Sequence, residues 1–179
     1  MVIIEPWQIA EISGPKKAAV ISKPEVIDAM IKRSKHPIMV VGHLAAKTVI
    51  NDKKMIDYLI DLGNKRNIPI IATGGTNREL LDRGYTQATI MPAVDAGQRL
   101  SDHAWKGLDG KGPYDLVIFA GLPYYMEWTI LSNLKHFASH VKTISLDTVY
   151  QPNASFSFSN ISTKEWLESL NAIIGHKEG

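Results

Sequence analysis

Glycine residues end three apolar segments that the sequence predicts to be β-strands, and glycine in such a turn can support ligand binding. A turn that contains glycine bends sharply and brings backbone N–H groups close to a phosphate. In parallel α/β sheets, ligands bind beyond the carboxyl ends of the strands. Any flavin or nicotinamide dinucleotide (FAD or NAD) that the chain binds is therefore expected at these turns, although no intrinsic cofactor is certain. The candidate residues are Gly42, His43, Gly74, Gly75, Thr76, Gly121 and Leu122.

Other interpretations of these turns stay open. Each glycine could simply close a tight connection between a strand and a helix. Asp147 follows a further predicted strand, where its carboxylate could accept a hydrogen bond from a ribose hydroxyl or cap the turn before Tyr150. The phosphate-binding fingerprint G-x-G-x-x-G is absent, because the residues HLAAK follow Gly42, and there is no Walker loop.

No group of residues in the sequence has the spacing of a catalytic or metal site. Ser101-Asp102-His103 contains the residue types of a catalytic triad, but neighbours in sequence cannot reach triad geometry. The chain contains no cysteine, which excludes a disulfide, a thiol nucleophile and thiolate ligands for zinc or an iron–sulfur cluster. A redox role would therefore need an organic cofactor or the metal of a partner protein.

The hydrophobic pattern predicts the strands and helices that would position these residues. Short apolar segments bounded by Gly and Pro are typical of buried parallel strands, whereas apolar residues three and four positions apart indicate helices. Their alternation predicts a three-layer, Rossmann-like α/β domain with a six-stranded parallel sheet. The strands are predicted at 36–42, 68–73, 88–91, 115–121, 141–146 and 154–159, and the helices at 22–35, 52–65, 76–84, 95–105, 123–138 and 162–175.

Capping signals mark where helices begin, and an irregular hydrophobic pattern at the N-terminus marks where the domain begins. Capping boxes are predicted at Ser22–Glu25, Thr76–Glu79 and Ser162–Glu165. Residues 1–22 have no regular period and are predicted to be a lead-in segment that contains Trp7. Residues 23–179 are predicted to form a single domain.

Length and charge exclude several classes of protein. The 179 residues carry a net charge of +2 and no long basic run, which argues against a nucleic-acid partner. The uncharged central segment 116–126 has 11 residues, whereas a membrane span needs about 20. The first residues include Glu5 and Pro6 but no basic region, so no signal peptide is predicted. We therefore expect a cytoplasmic protein.

The helix predicted after Pro123 is apolar almost all round, which suggests that it is covered on two sides. Met126, Ile130, Leu134 and Phe137 form one stripe, which we assign to the sheet. The residues then expected to face away from the sheet are Tyr124, Trp128 and Leu131. Large aromatic side chains in that position indicate either an interface with another chain or a pocket closed by residues 1–22.

Two resemblances follow from longer stretches of sequence. The segments MIKRSKHPIMVVG, IPIIATGGT, DLVIFAG and KTISLD are similar to the middle domain of thiamine-diphosphate enzymes. That domain is a six-stranded, Rossmann-like fold shared with deoxyhypusine synthase, and in some members it holds FAD or NAD. Over essentially the whole chain, GPKKAAVISKPEVIDAMIKRSKHPIMVVG, DLVIFAGLPYYMEWTILSNLKHFA and ISLDTVYQPNASFSFSN resemble the epsilon subunits of archaeal acetyl-CoA decarbonylase/synthase complexes.

The second resemblance implies a non-catalytic role in acetate and carbon monoxide metabolism. It implies a small accessory subunit bound to a large alpha subunit, the carbon monoxide dehydrogenase, in an alpha-two epsilon-two assembly. Nickel and iron–sulfur clusters would then belong to the alpha subunit only, and the epsilon subunit would stabilise alpha or assist electron transfer to a flavin. When isolated, such a chain is expected to be able to form a homodimer. The alternative is a free-standing, dinucleotide-dependent oxidoreductase.

Overall fold

A computed structural model describes residues 16–175 of the chain. Nine strands are present in that range, and seven of them form one sheet in which all neighbours are parallel. The strands are β1 (Ala19–Val20), β2 (Pro37–Val41), β3 (Val49–Ile50), β4 (Lys53–Lys54), β5 (Ile70–Ala72), β6 (Thr89–Ile90), β7 (Leu116–Ala120), β8 (Lys142–Ser145) and β9 (Phe156–Ser157). Strands β3 and β4 form a separate antiparallel pair.

The order of the strands is that of a doubly wound sheet with one strand added at an edge. From one edge to the other the order is β6-β5-β2-β7-β8-β9-β1. Without β1 this is the 3-2-1-4-5-6 order of dinucleotide-binding folds. The chain direction along the sheet therefore reverses between β2 and β7, the point at which such sheets bind ligands.

The prediction of a six-stranded sheet is wrong, because a seventh strand lies at the edge. Ala19 of β1 pairs with Phe156 of β9, and Val20 pairs with Ser157. Two exposed residues are too few to show a strand period, so only the tertiary contact with β9 defines this strand. Strand β1 lies within the segment predicted as a lead-in, whereas Trp7 of that segment is outside the described residues.

Helices cover both faces of the sheet and give the predicted three layers. In the central strand β2, Met39 and Val41 join the hydrophobic cluster on one face, and Ile38 and Val40 join the cluster on the other. The helices are α1 (Pro24–Arg33), α2 (Met55–Arg66), α3 (Thr76–Leu81), α4 (Ala93–Ser101), α5 (Tyr124–Phe137) and α6 (Thr163–Ile174). The first cluster is completed by α1, α2, α3 and α6, and the second by α4 and α5.

One of the three predicted capping boxes is present. The Ser162 N–H donates to Glu165 Oε2 at 2.8 Å, and the Glu165 N–H donates to Ser162 Oγ at 3.3 Å. Helix α1 instead begins after Lys23, which makes no side-chain cap. Thr76 is the first residue of α3, and its hydroxyl donates backwards to the Thr73 carbonyl at 2.6 Å. Within the described range, none of the helices has the length and apolar character to cross a membrane.

Candidate binding site at the carboxyl edge of the sheet

The crevice expected between β2 and β7 is filled by backbone. A Cβ atom on Gly42 would lie 2.1 Å from the carbonyl oxygen of Gly121, which is far inside van der Waals contact. Gly121 has a φ of 72°, and a Cβ there would lie 2.5 Å from the backbone nitrogen of Ala45. The Leu44 N–H also donates to the Gly121 carbonyl at 2.9 Å. Both glycines are therefore needed for the close approach of two turns.

Asp147 caps the turn that contains Gly121. The Gly121 N–H donates to the two carboxylate oxygens of Asp147 at 2.8 and 3.1 Å. Neither role considered for Asp147 is the one observed, because the turn that it caps is at Gly121 and not before Tyr150. The bond occupies a backbone donor that an anionic ligand would otherwise use. Leu122 is buried in the hydrophobic cluster next to α4 and α5. Asp147, Gly121 and Leu122 therefore contribute to the structure of the turn.

A cavity of about 570 Å³ lies on the β5 side of this closed crevice. Of the predicted residues, it brings together His43, Gly75 and Thr76. Gly74, with a φ of 56°, forms the preceding turn but does not line the cavity. The remaining lining residues are Ala46, Lys47, Lys54 and Glu79, which the sequence analysis did not select.

The charges around this cavity are partly paired with one another. Glu79 Oε2 lies 2.8 Å from Arg83 Nη1 and 3.7 Å from Lys54 Nζ. The hydrogen bond from Arg83, followed by the charge of Lys54, holds the pKa of Glu79 below its usual value. Lys47 is exposed at the rim. The cavity therefore offers an anion two lysine side chains and the imidazole of His43.

The observed donors do not fit a dinucleotide that lies across β2 and β7. Such a ligand would need the space between Gly42 and Gly121 and the Gly121 N–H, and both are taken by the protein itself. Among residues 16–175, the open part of this edge is the cavity on the β5 side, at His43, Gly75 and Thr76. Of the eight predicted cofactor-binding residues, three thus line a common cavity.

Sequence reasoning missed a buried carboxyl group beside Asp147. Glu127 of α5 is fully buried, and within the described range neither of its carboxyl oxygens makes a hydrogen bond of ordinary geometry, although the Asp147 carboxyl and the Ser145 hydroxyl lie close enough to act on its pKa. Burial raises its pKa well above the usual value, and the charge of Asp147 raises it further. Burial likewise raises the pKa of Asp147. In the sequence, Glu127 is the sole charged residue between Leu122 and Leu134. A single charge within such an apolar helix could have indicated a buried carboxyl group.

The structure corrects the assignment of faces on α5. Leu131 is 0% exposed and belongs to the core, so its prediction as an interface residue is wrong. Phe137, expected to face the sheet, is 69% exposed. Tyr124 and Trp128 are partly buried, and Tyr125 is 70% exposed. The buried and exposed sides of α5 differ from the prediction because α5 also packs against α4, which covers a second side of the helix.

The described residues contain no cluster of three or more His, Asp or Glu side chains that could hold a metal ion. The strand order and the three layers are instead consistent with a Rossmann-like α/β protein.

Comparison with known proteins defines the family. The model of the CO dehydrogenase beta subunit/acetyl-CoA synthase epsilon subunit family matches residues 2–174, and the chain belongs to this family. The acetyl-CoA decarbonylase/synthase complex subunit epsilon of Methanothermobacter thermautotrophicus is 36% identical over 167 residues, which cover 93% of this chain and 92% of that protein. Subunit epsilon 1 of Archaeoglobus fulgidus is 39% identical over 158 residues, or 87% of this chain and 82% of that protein. The resemblance to epsilon subunits is thereby confirmed.

Proposed function

We propose that this chain is the epsilon subunit of an acetyl-CoA decarbonylase/synthase complex and acts there as an accessory subunit. The observation that carries the proposal is its similarity to named epsilon subunits along nearly the whole of both chains. The partner is the large alpha subunit, in an alpha-two epsilon-two assembly.

The absence of cysteine supports a non-catalytic role. Nickel and iron–sulfur clusters are held mainly by cysteine thiolates, and this chain has none to offer. The alpha subunit would hold every cluster, and this chain would stabilise alpha. The surface that we assign to this contact is the partly exposed side of α5 at Tyr124 and Trp128, because aromatic side chains are favoured at the centres of interfaces.

Reconstitution with the alpha subunit tests this proposal. The purified chain is mixed with the alpha subunit of the same organism, and the mass of the product is measured by light scattering. We expect a stable alpha-two epsilon-two complex whose carbon monoxide dehydrogenase activity survives heating longer than that of alpha alone. Failure to form a complex, together with dinucleotide-dependent oxidoreductase activity of the lone chain, would establish the alternative function instead.

The cavity on the β5 side supports a second, more limited proposal. Any dinucleotide that this chain binds, and through which it would assist electron transfer, lies at His43, Gly75 and Thr76 and uses Lys47 and Lys54 for its phosphates. When bound, a flavin would supply the electron-carrying chemistry, and the residues of this chain would bind and orient it. The lysines suit this role because the ammonium of lysine is a compact positive charge that attracts phosphate.

Gly75→Val is the variant that tests this placement. A Cβ at Gly75 would have no heavy atom within 4 Å, and its φ is −75°, so we expect the fold to persist. The added side chain would project into open space at the cavity, and we expect affinity for FAD or NAD in a calorimetric titration to fall about tenfold, or 1.4 kcal/mol. Thr86→Val, at an exposed position that does not line this cavity, serves as the control. Equal affinity of all three proteins would exclude the placement.

A further inference from the structure

Glu79 brings a negative charge into the cavity on the β5 side, next to the lysines that we assign to phosphate. Among residues 16–175, it is the one acidic residue that lines this cavity. Its side chain is 38% exposed, so a ligand in the cavity can reach the carboxylate. The hydrogen bond from Arg83 and then the charge of Lys54 lower the pKa of Glu79, which is therefore ionised at neutral pH.

The charges of Glu79 and its neighbours cancel one another. Glu79 Oε2 lies 2.8 Å from Arg83 Nη1 and 3.7 Å from Lys54 Nζ. Arg83 Nε also lies 2.6 Å from Asp57 Oδ1. These two cations and two anions form a neutral group, and Lys47 is a further cation in the lining of the cavity. Removal of the charge on Glu79 would therefore leave the group of four with one positive charge in excess.

The Glu79 carboxylate retains the capacity to accept a hydrogen bond from a ligand. Both ion pairs are made at Oε2, whereas an ionised carboxylate has about four acceptor sites on its two oxygens. A sugar hydroxyl can donate to such a group, and this hydrogen bond is strengthened by the charge. A phosphate in the same place would bring like charges together, which is unfavourable. Glu79 can therefore distinguish a hydroxyl from a phosphate.

The AMP half is the part of a dinucleotide that this cavity would recognise. FAD and NAD have this half in common, so a single site that accepts either of them must recognise it. The volume of about 570 Å³ is within the range of about 300–1,000 Å³ that is usual for small-molecule sites. Lys47 and Lys54 suit the phosphate of AMP, and Glu79, beside Lys54, suits the hydroxyls of its ribose.

We propose that Glu79 makes the cavity selective for an AMP group with a free 2′-hydroxyl, as in FAD and NAD, and excludes the 2′-phosphate of NADP. The carboxylate accepts a hydrogen bond from the hydroxyl and repels the phosphate. Glu79 is thus a specificity-determining residue and takes no part in any chemical step. This inference rests on the proposed cofactor site at His43, Gly75 and Thr76, and it adds the class of ligand that the site accepts.

Calorimetric titration of the purified full chain with AMP, 2′-deoxy-AMP and 2′,5′-ADP tests the proposal. All three contain the shared half, but the second lacks the 2′-hydroxyl and the third carries a phosphate there. At constant ionic strength, we expect AMP to bind about tenfold more tightly than either analogue, the equivalent of one charge-assisted hydrogen bond. Glu79→Gln keeps an acceptor oxygen but loses the charge. In this variant, 2′,5′-ADP should bind at least as tightly as AMP, because a positive charge is then in excess.

Two further variants separate the charge of Glu79 from other effects. Glu79→Asp keeps the negative charge and should still reject 2′,5′-ADP. Asp82→Asn removes an exposed carboxylate at the end of the same helix, outside the lining of the cavity, and should keep the preference of the wild type for AMP. Arg83 retains its ion pair with Asp57 in all of these proteins, so they are expected to fold, and circular dichroism checks this.

The outcomes distinguish this inference from the cofactor site on which it rests. If the wild type binds none of AMP, NAD and FAD, the cofactor site is wrong and the inference is wrong with it. If AMP binds but 2′,5′-ADP binds equally well, or if Glu79→Gln keeps the preference of the wild type, the inference alone is overturned. Loss of the preference in Asp82→Asn would overturn it as well, because the overall charge and not Glu79 would then determine specificity.

Discussion

Glu127 and Asp147 place two carboxyl groups next to each other at the carboxyl edge of the sheet. Glu127 is fully buried on α5, and Asp147 accepts the Gly121 N–H at the end of β7. A carboxylate that is buried beside a second carboxyl group is costly, so the neutral acid is the favoured form of Glu127 in the folded protein. The contribution of this residue to stability must therefore depend on pH.

The sign of this dependence follows from the raised pKa of Glu127. Its contribution to the free energy of unfolding is fully present below the pKa of an ordinary glutamate and is lost as pH rises towards the folded-state pKa. While the group is protonated in the folded state and ionised in the unfolded state, the loss is about 1.4 kcal/mol per pH unit. We expect Glu127→Gln, which cannot ionise, to unfold with a flatter pH profile and to be more stable than the wild type at pH 8.

Urea denaturation between pH 5 and pH 8 measures this profile. Asp147, whose charge contributes to the raised pKa of Glu127, is retained in the variant. Glu168→Gln, at an exposed position of α6, is the matched control and should follow the wild type. Parallel profiles for Glu127→Gln and the wild type would show that Glu127 does not keep its proton in the folded state.

Gly42 and Gly75 both follow strands, but only Gly42 is closely surrounded by other backbone atoms. Comparing substitutions at the two positions therefore tests the close approach of the β2 and β7 turns. A methyl group on Gly42 would lie within 2.6 Å of three backbone atoms of Gly121 and Leu122. Backbone cannot move away cheaply, so we expect Gly42→Ala to destabilise the protein by about 3 kcal/mol. Gly75→Ala, which meets open space, should change stability by less than about 0.5 kcal/mol. Similar urea midpoints for the two variants would contradict the observed contact between the β2 and β7 turns.

At the scale of elements, α5 connects the core to the surface that we assign to the partner. Ile130, Leu131 and Leu134 are buried against the sheet and α4. The ring nitrogen of Trp128 is buried without a hydrogen-bond partner in the described range. Asn153 donates to the Trp128 carbonyl at 3.4 Å, which links the helix to the loop before β9. Trp128 therefore lies at the boundary between core and surface.

We expect Trp128→Ala to weaken assembly with the alpha subunit by roughly 2 kcal/mol, as truncation of an aromatic hot spot does. The lone chain should remain folded, because the core residues of α5 are unchanged. Lys164→Ala, in the opposite layer, is the control and should assemble with the affinity of the wild type. Binding is measured by titration of the alpha subunit, and folding by circular dichroism. Unfolding of the lone variant would assign Trp128 to the core, and unchanged affinity would remove it from the interface.

At the scale of the whole molecule, the double winding produces two hydrophobic clusters, and the charged features lie at opposite edges of the sheet. His43, Lys47 and Lys54 lie at the carboxyl ends of the strands, whereas Lys16, Lys135 and Lys142 line a groove at their amino ends. The two groups of charges are therefore separated by the length of the strands.

The composition of the whole chain carries the last prediction. Purified without its partner, the protein should contain no stoichiometric iron or nickel, because no thiolate is available to hold a cluster. The complex with the alpha subunit should contain both metals. Elemental analysis of the two preparations measures this, with the protein concentration taken from amino-acid analysis. A lone chain with about one cluster per molecule would disprove the assignment of the metals to the partner.

The sequence by itself determined the features that depend on local periodicity. The positions of six strands and six helices follow from apolar spacing and from glycine and proline at their ends, because β2 and β7 are buried on both faces and α6 carries its own capping box. The family also follows from the sequence, since similarity extends along almost the whole chain. Local signals of this kind need no knowledge of which strands are neighbours.

Only the tertiary structure decided how distant residues meet. Strand β1 exists because β9 pairs with it, and Gly42 and Gly121 are confined because the winding brings the ends of β2 and β7 together. The burial of Leu131 depends on α4, and Lys16 and Lys142 line the same groove although they are far apart along the chain. These contacts link residues far apart along the chain, and no local pattern encodes such pairs. These contacts depend on the order of the strands and on the face of the sheet that each helix covers. Both are established only when the complete domain packs together.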